Sequence, residues 1–360
     1  MRFARTAKSL VALLLALTAL QAQAWTRLPA VTFATLPAGT AHPEGITADD
    51  RGNLYVANFD VGKGSGPGDV LVFDRAGKLL RHLKVMASSA LLLGLAFPPH
   101  SDKLLVIDFG NKNVLRVDPL TGESEVFATI PGGAAAGPNA LAFDGNGNVY
   151  ISDSFQGTIW RKPLDGNDPL VAWVSHPLLT TTGVPPFGAN GIAFNNAATA
   201  LFVANTGNDS IVRIPLPDGP AGTPGTPEVF VNSINGADGL IVDEDDNLWV
   251  AANQADEIVV LDPSGRAIAK LGDFGGIDRD GSPRGLLFPA SLVRVGGFIY
   301  VTNLALDLRG FGLAQALDSQ WAAQVTQHTI ARIRARIPPV PGLCGSDDHG
   351  REGKDGCRGH

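Results

Sequence analysis

The chain has 360 residues, of which 44% are hydrophobic and 18% are charged, and it contains 43 glycines and 25 prolines. This composition predicts a turn-rich protein with enough apolar residues for a packed core, and it argues against an intrinsically disordered chain. The formal net charge is -7 and the basic residues are scattered, which argues against a protein that binds nucleic acid through a basic face.

The first 24 residues have the pattern of a secretory signal peptide. Three basic residues lie within 2–8, an apolar run follows over 10–20, and Ala22-Gln23-Ala24 comes next. A basic start, a short apolar core and an A-x-A site are typical of such a leader, and the run is short for a membrane anchor. We therefore expect cleavage near Ala24, no membrane span in the mature chain, and a secreted or periplasmic location. A retained membrane anchor is the alternative interpretation.

Six short apolar segments recur along the chain at nearly regular spacing. Their second residues are large, mostly aromatic, and lie 50, 45, 52, 47 and 51 residues apart. Most segments follow a strand-like run and a turn of Gly, Asn or Asp, and most precede another strand-like run. Four short strands in each of six repeats predict an all-β fold, the six-bladed β-propeller. The six segments are 54–58, 104–108, 149–153, 201–205, 248–252 and 299–303.

The last repeat lacks a fourth strand. It ends after the strand-like run 329–336, where the chain becomes proline-rich, whereas the segment 31–36 near the N-terminus has the pattern of a fourth strand. We therefore expect the N-terminal strand to complete blade six, which gives one domain over residues 25–337. The remaining residues, 338–360, predict a flexible tail in which a disulfide between Cys344 and Cys357 would be permitted outside the cytoplasm.

The start of the innermost strand in each repeat holds the candidate functional residues. These equivalent positions, 11 or 12 residues before the landmark, surround the central tunnel of a propeller. Converging carboxylates and carboxamides there would need a partner, and Ca²⁺ takes oxygen ligands from Asp, Glu and Asn. The absence of His and Cys from this set argues against zinc, and a water-filled polar tunnel without an ion is the alternative. The six positions are Glu44, Leu93, Asn139, Asn190, Asp238 and Pro289.

Four short motifs at these positions stand in register between residues 32 and 336: Pro43-Glu44-Gly45, Pro138-Asn139-Ala140-Leu141, Ala189-Asn190-Gly191-Ile192 and Asp238-Gly239-Leu240. Together they resemble the senescence marker protein/gluconolactonase/luciferin-regenerating-enzyme-like family, which includes sugar lactonases and an organophosphate hydrolase. The resemblance implies a six-bladed propeller with a catalytic Ca²⁺ held by Glu44, Asn190 and Asp238. It makes Asn139 a fourth ligand or a substrate-binding residue, and it gives Asp238 the catalytic role. Another divalent cation would suit the same oxygen donors.

Two departures from the family pattern bear on the substrate. Sugar lactonases of the family usually carry an arginine two residues before the blade-three asparagine, where this chain has Gly137. This difference argues against an aldonolactone substrate. The catalytic histidine of the more distant paraoxonases also has no counterpart, because Leu93-Gly94-Leu95 occupies that place.

Four long segments are expected on the face of the propeller where the innermost strands begin. They span residues 58–69, 175–188, 275–288 and 304–325, and the last contains a predicted short helix over 313–317. Apolar loops above a polar ion favour a lid over a moderately hydrophobic substrate. Loops that only plug the tunnel are the alternative.

The expected chemistry follows from these groups. Bound Ca²⁺ polarises a carbonyl or phosphoryl oxygen, and a carboxylate beside it acts as a general base on water or as a nucleophile. We therefore expect a secreted, calcium-dependent hydrolase of a small-molecule lactone or related ester, and a monomer. The alternative function is a non-catalytic binding propeller of the NHL type. A propeller lyase would need a pair of tunnel histidines, and only His42, without a partner in the sequence pattern, lies near the tunnel.

Overall fold

The structure is a computed structural model, and it describes residues 27–166, 168–313 and 318–337. The expected signal peptide over 1–24, the expected tail over 338–360 with Cys344 and Cys357, and all but the first residue of the expected helix over 313–317 lie outside the described residues. Within the described ranges, no helix is long and apolar enough to span a membrane.

Six four-stranded antiparallel sheets form the blades of a β-propeller, which confirms the fold predicted from the repeats. The first strands of neighbouring blades contact one another and surround the centre. The N-terminal strand is β1 (Val31–Thr35). Blades one and two consist of β2 (Pro43–Ala48), β3 (Leu54–Asn58), β4 (Gly68–Phe73), β5 (Leu79–Val85), β6 (Leu92–Ala96), β7 (Leu104–Asp108), β8 (Asn113–Val117) and β9 (Ser124–Thr129). Blades three and four consist of β10 (Pro138–Phe143), β11 (Asn148–Asp153), β12 (Thr158–Pro163), β13 (Val171–Ser175), β14 (Ala189–Phe194), β15 (Ala200–Asn205), β16 (Ser210–Pro215) and β17 (Glu228–Asn232).

The remaining elements include the last two blades and a few short connections. Blade five consists of β18 (Ala237–Val242), β19 (Leu248–Ala252), β20 (Glu257–Leu261) and β21 (Ala267–Leu271), and a hairpin of β22 (Phe274–Ile277) and β23 (Pro283–Gly285) follows it. Blade six consists of β24 (Pro289–Val295), β25 (Phe298–Asn303), β26 (Thr329–Arg334) and β1. Short 3₁₀ turns lie at Gly133–Ala135, Pro177–Leu179 and Leu308–Phe311, and one α-helical turn lies at Ser319–Ala322.

Burial explains why the landmark segments are apolar throughout. The second strand of a blade is covered on both faces by the neighbouring blades, so all residues of β3, β7 and β19 are buried. An outermost strand such as β21 has one face in solvent and alternates between exposed and buried residues. Continuous apolar runs and alternating runs are the patterns of these two environments. Burial between blades therefore produces the repeat that is visible in the sequence.

The turn between the first two strands of three blades is fixed by an aspartate. Oδ1 of Asp144 accepts hydrogen bonds from the backbone N–H groups of Asn146 and Asn148, each at 2.9 Å. Asp49 and Asp243 accept the equivalent bonds in blades one and five. An aspartate that binds the backbone two and four residues ahead stabilises a tight turn.

The N-terminal strand closes the ring. Strand β1 pairs antiparallel with β26, with Val31 opposite Arg332 and Thr35 opposite Thr329. Ala34 of β1 and the following Leu36 are buried, at 5% and 7% exposure. This arrangement confirms the expected closure, and it leaves no unpaired outer edge on β26.

Candidate metal centre and active site

All six innermost strands share one irregularity at their start. In β2 the pairing shifts between Pro43 and Ile46, and the other five innermost strands shift at the equivalent place. A β-bulge leaves two residues opposite one and changes the direction of their side chains. The residues within these bulges are the candidate tunnel positions, so the fold gives all six the same local backbone.

The sixth of these positions is Ala290, and the expectation of Pro289 is wrong. Pro289 pairs with Asn303 as Pro43 pairs with Asn58, so the residue equivalent to Glu44 is the next one along the chain. The interval from Ala290 to the aromatic landmark Tyr300 is one residue shorter than that from Glu44 to Tyr55. Counting back 11 residues from Tyr300 therefore placed the position one residue too early.

Close contact between blades explains the glycine that follows four of these positions. A Cβ built on Gly45 would lie 2.3 Å from the carbonyl oxygen of Leu93 in the next blade, and one on Gly191 would lie 2.4 Å from that of Asp238. Gly94 and Gly239 show the same approach to the next blade, at 2.6 and 2.7 Å. No side chain fits between backbones at this separation, so these glycines of the tunnel motifs serve the packing of the ring.

Five of the six tunnel residues line one small cavity of about 50 Å³. Its volume is enough for an ion with a few water molecules, since a single water needs roughly 10–15 Å³ on the same measure. The polar part of its wall is Glu44, Asn139, Asn190, Thr206, Asp238 and Asn253. The apolar part is Phe59, Leu93, Pro185, Phe187, Phe288, Leu304, Leu306 and Leu308. The structure thus brings all four predicted ligand residues into the wall of one cavity.

The carboxamides of the cavity are held by their nitrogen atoms. Nδ2 of Asn139 donates to Oγ of Ser154 at 3.3 Å, and that hydroxyl donates in turn to the backbone oxygen of Ala189 at 2.7 Å. Nδ2 of Asn190 donates to Oγ1 of Thr206 at 2.9 Å. With its nitrogen held in this way, each amide has its carbonyl oxygen available to bind a cation.

Sequence reasoning missed the three residues that hold these polar groups. Ser154, Thr206 and Asn253 each directly follow a landmark segment, and Nδ2 of Asn253 donates to Oδ2 of Asp238 at 3.0 Å. The equivalent residues of blades one and six are Phe59 and Leu304. A comparison of the repeats at the residue that directly follows each landmark segment would have shown this signal, because that residue is polar only in blades three to five.

The two carboxylates of the cavity lack partners. Glu44 and Asp238 are 5% and 4% exposed, and Oε2 of Glu44 and Oδ1 of Asp238 accept no hydrogen bond from the described residues. Burial raises the pKa of Asp238 to about 7, although a hydrogen bond from Asn253 opposes the shift. Burial and the nearby Asp238 raise the pKa of Glu44 well above its usual range. No lysine or arginine among the described residues lines the cavity, so no basic side chain there compensates the two carboxylates.

These donors fit a hard divalent cation. Two carboxylates supply two negative charges and two amides supply neutral oxygen atoms, which is a ligand set suited to Ca²⁺. In the described part of the chain no group of three or more His, Cys, Asp and Glu side chains could hold a metal. A site built here therefore depends on the asparagines as well as the acids, and it contains no nitrogen or sulfur ligand of the kind that zinc prefers.

His42 is not alone, contrary to expectation. The centroid of its ring lies 4.5 Å from the centroid of the His328 ring, and its Nδ1 lies 3.0 Å from the backbone oxygen of Leu304. Burial lowers the pKa of both rings, that of His328 to about 3. Neither ring lines the cavity. The sequence could not show this pair because the two residues lie 286 positions apart and meet only where the chain closes.

A family model and several solved structures match this chain. A model of the SMP-30/Gluconolactonase/LRE-like region matches residues 179–272, which include Asn190 and Asp238. The resemblance predicted from the tunnel motifs is confirmed. A search of curated proteins found no match to the chain.

The solved structures similar to this chain include proteins whose names occur in the name of that family. Luciferin-regenerating enzyme is 15% identical and has a TM-score of 0.61, over 82% of this chain and 92% of that one. A calcium-binding protein, regucalcin from Agrobacterium tumefaciens, is 17% identical with a TM-score of 0.58, over 87% and 99%. A candidate gluconolactonase is 17% identical with a TM-score of 0.57, over 85% and 92%. At identities this low, the similarity shows a shared fold alone.

Proposed function

We propose that this propeller is a calcium-dependent hydrolase that acts on a lactone or a related ester. The observation that carries the proposal is the pair of buried carboxylates with unpartnered oxygens, Glu44 and Asp238, facing a cavity beside two oriented carboxamides. The family match over residues 179–272, to a region named for gluconolactonase, supports the reaction class. The similarity to a protein described as calcium-binding supports the choice of metal.

Glu44, Asn139, Asn190 and Asp238 would hold the ion. Bound there, Ca²⁺ would supply Lewis acidity toward a carbonyl or phosphoryl oxygen. Ser154 and Thr206 act as positioning residues, because each accepts a hydrogen bond from the amide nitrogen and so restrains the rotation of the amide. Such outer partners typically change metal affinity 10- to 100-fold when they are removed.

Asp238 is the residue we assign to catalysis. Of the two carboxylates among the described residues that line the cavity, Asp238 is the one that accepts a side-chain hydrogen bond, from Asn253, which fixes Oδ2 and leaves Oδ1 without a partner. A carboxylate in this position serves either as a general base on water or as a nucleophile toward the carbonyl carbon. Glu44 then balances the second charge of the ion.

The apolar part of the cavity wall separates these groups from bulk water. Leu304, Leu306 and Leu308 come from the long connection that follows β25, and Pro185 and Phe187 come from the connection before β14. A cavity of about 50 Å³ is smaller than the 300–1,000 Å³ of ordinary ligand pockets. We propose that these two loops form the expected lid over the ion and the reacting group.

Four further expectations from the sequence stay part of the proposal. They are secretion with removal of residues 1–24, a propeller domain spanning 25–337, a small-molecule lactone or ester as the partner, and a monomeric state. The negative net charge supports the absence of a nucleic-acid partner.

The test is a panel of a lactone, an aryl ester and a phosphotriester, assayed with Ca²⁺ and with a chelator. We expect turnover that the chelator abolishes, and calcium in the purified protein by elemental analysis. Asp238→Asn at saturating Ca²⁺ should lower kcat by about 10²- to 10⁴-fold, the range of a general acid–base group. Activity that survives the substitution would move the catalytic role to Glu44.

Asp256→Asn is the matched control. Asp256 is also buried, at 8% exposure, and its pKa is also raised, to about 8, chiefly by burial, but it does not line the cavity. It should retain turnover and calcium binding. A wild-type protein that binds calcium but turns over nothing in the panel would instead favour the NHL-type binding propeller.

A further inference from the structure

Three phenylalanine rings from neighbouring blades meet beside the cavity. Phe109 follows β7, Phe155 follows β11 and Phe187 precedes β14. Their ring centroids lie 5.4 Å apart for Phe155 and Phe187, 5.8 Å for Phe109 and Phe155, and 6.2 Å for Phe109 and Phe187. Phe187 also lines the cavity. We call these three residues the aromatic cluster, and it runs without a break from the cavity wall to the protein surface.

The cluster is only partly covered. Phe155 is 40% exposed, and Phe109 and Phe187 are half-buried. One face of Phe109 is occupied, because Nζ of Lys112 lies 3.9 Å from its ring centroid. The open aromatic surface is therefore that of Phe155, with Phe187 between it and the cavity.

Gly137 is the reason that the Phe155 ring can lie where it does. A Cβ built on Gly137 would lie 2.7 Å from Cγ of Phe155, so any side chain at position 137 would displace the ring. The backbone N–H of Gly137 donates to Oδ1 of Asp153 at 2.9 Å, which holds this segment in place. Gly137 stands two residues before Asn139 of the candidate metal centre. The place from which a polar side chain could reach a substrate at Asn139 is thus taken by an aromatic ring.

The size of the cavity puts most of a substrate outside it. About 50 Å³ accommodates an ion and the reacting group, and the rest of an ester must lie at the mouth. We propose that the aromatic cluster is the subsite for a flat apolar group of the substrate, and that it selects aryl- or benzyl-bearing esters and lactones over polyhydroxylated ones. The inference rests on the proposed hydrolase and names the substrate class of that same site.

A pair of aromatic rings gains more free energy than the burial of its apolar area alone would give. The three rings offer no hydrogen-bond partner to a sugar hydroxyl, and an unpaired hydroxyl is costly to bury. The same surface therefore favours one class of substrate and disfavours the other.

The experiment compares a ratio of two substrates between the wild type and a variant. The difference in leaving group between the substrates is the same in both proteins, so it cancels in this comparison. The kcat/KM for benzyl acetate is divided by that for ethyl acetate, with Ca²⁺ present, in the wild type and in Phe155→Ala. We expect the ratio to fall about tenfold in the variant, the scale of one aromatic or methylene contact in an apolar pocket. Phe155→Leu, which keeps an apolar side chain but loses the ring, should give an intermediate ratio.

Phe97→Ala is the matched control. Phe97 is another half-buried phenylalanine in an edge-to-face pair, with Tyr55 at 5.1 Å, and it follows β6 at the opposite end of the innermost strand. It should leave the ratio at the wild-type value. A ratio that falls equally in both variants, or in neither, would overturn the inference.

A binding measurement separates this inference from the proposed function. N-benzylacetamide, an amide analogue of the ester, is titrated by calorimetry into the wild type and Phe155→Ala, each with Ca²⁺. Weaker binding to the variant, even if no ester is hydrolysed, supports the subsite and removes only the hydrolase. Ester turnover with an unchanged ratio and equal binding of the amide would overturn the subsite and leave the hydrolase standing.

Discussion

Replacing Asp238 with asparagine should stabilise the calcium-free protein at high pH. The wild-type carboxyl has a pKa of about 7 in the folded state against 3.8 in the absence of the fold, chiefly because burial penalises the charged form. A group whose pKa is raised on folding binds more protons when folded, so the free energy of unfolding falls as the pH rises from about 4 to 7. Asparagine carries no such charge, and it avoids this loss.

The structure sets the size of the effect. A difference of about 3 pKa units at about 1.4 kcal/mol each gives a loss of about 4 kcal/mol at pH 8, of which about 2 kcal/mol is already present at pH 5. The advantage of Asp238→Asn over the wild type should therefore grow by about 2–3 kcal/mol between pH 5 and pH 8. Glu44 adds to the effect in the same direction, because its own pKa is raised partly by Asp238.

Urea denaturation in a chelator at the two pH values measures this difference directly. Saturating Ca²⁺ should narrow the difference at pH 8, since the wild type would gain about 2.7 kcal/mol at a hundredfold excess over Kd and the variant would gain less. Asp256→Asn should also gain stability at pH 8, because the pKa of Asp256 is raised to about 8, but it should keep the full response to calcium. If the difference between wild type and Asp238→Asn does not change with pH in the chelator, the two carboxylates do not share a water-excluded site.

Three further changes test the fold and the positioning of the amides. A chain that starts at Pro37 lacks the closing strand and should melt about 10 °C lower, as measured by calorimetry; an unchanged melting temperature would contradict the closure. Gly191→Ala should cost about 1–3 kcal/mol in urea denaturation, because its Cβ would meet the backbone of the next blade at 2.4 Å, whereas Gly145→Ala, with nothing within 4 Å, should not. Thr206→Val removes the acceptor of Asn190 and should weaken Ca²⁺ binding about tenfold by isothermal titration; equal affinity would show that the amide needs no support.

The fold could be predicted from the sequence because the chain contains six repeats, so each position in a blade can be compared with five equivalent positions. Burial of the second strand on both faces makes segments such as Leu54–Asn58 apolar throughout, and the bulge at the innermost strand keeps Glu44, Asn139, Asn190 and Asp238 in register. Closure could also be predicted, since blade six ends one strand short and an unassigned strand stands at the other end of the chain.

Other features depend on geometry that no count of residues supplies. The one-residue difference in the β24–β25 hairpin moved the sixth tunnel position from Pro289 to Ala290. The His42–His328 pair and the aromatic cluster join residues from loops that are distant in the chain, and their packing exists only in the closed ring. The sequence also does not show that Gly137 leaves room for the ring of Phe155, because this contact depends on how the two segments pack.

The pairing of β1 with β26 places the two termini of the propeller side by side. Val31 lies opposite Arg332, so a short linker could join the ends, and new termini could be opened in an exposed turn such as that at Gly145–Gly147. In such a circular permutant blade six would be built from one continuous stretch of chain, and the seam would move to blade three. The seam is where a propeller has only non-covalent closure, so the position at which forced or thermal unfolding begins should move with it, while the tunnel residues keep their places.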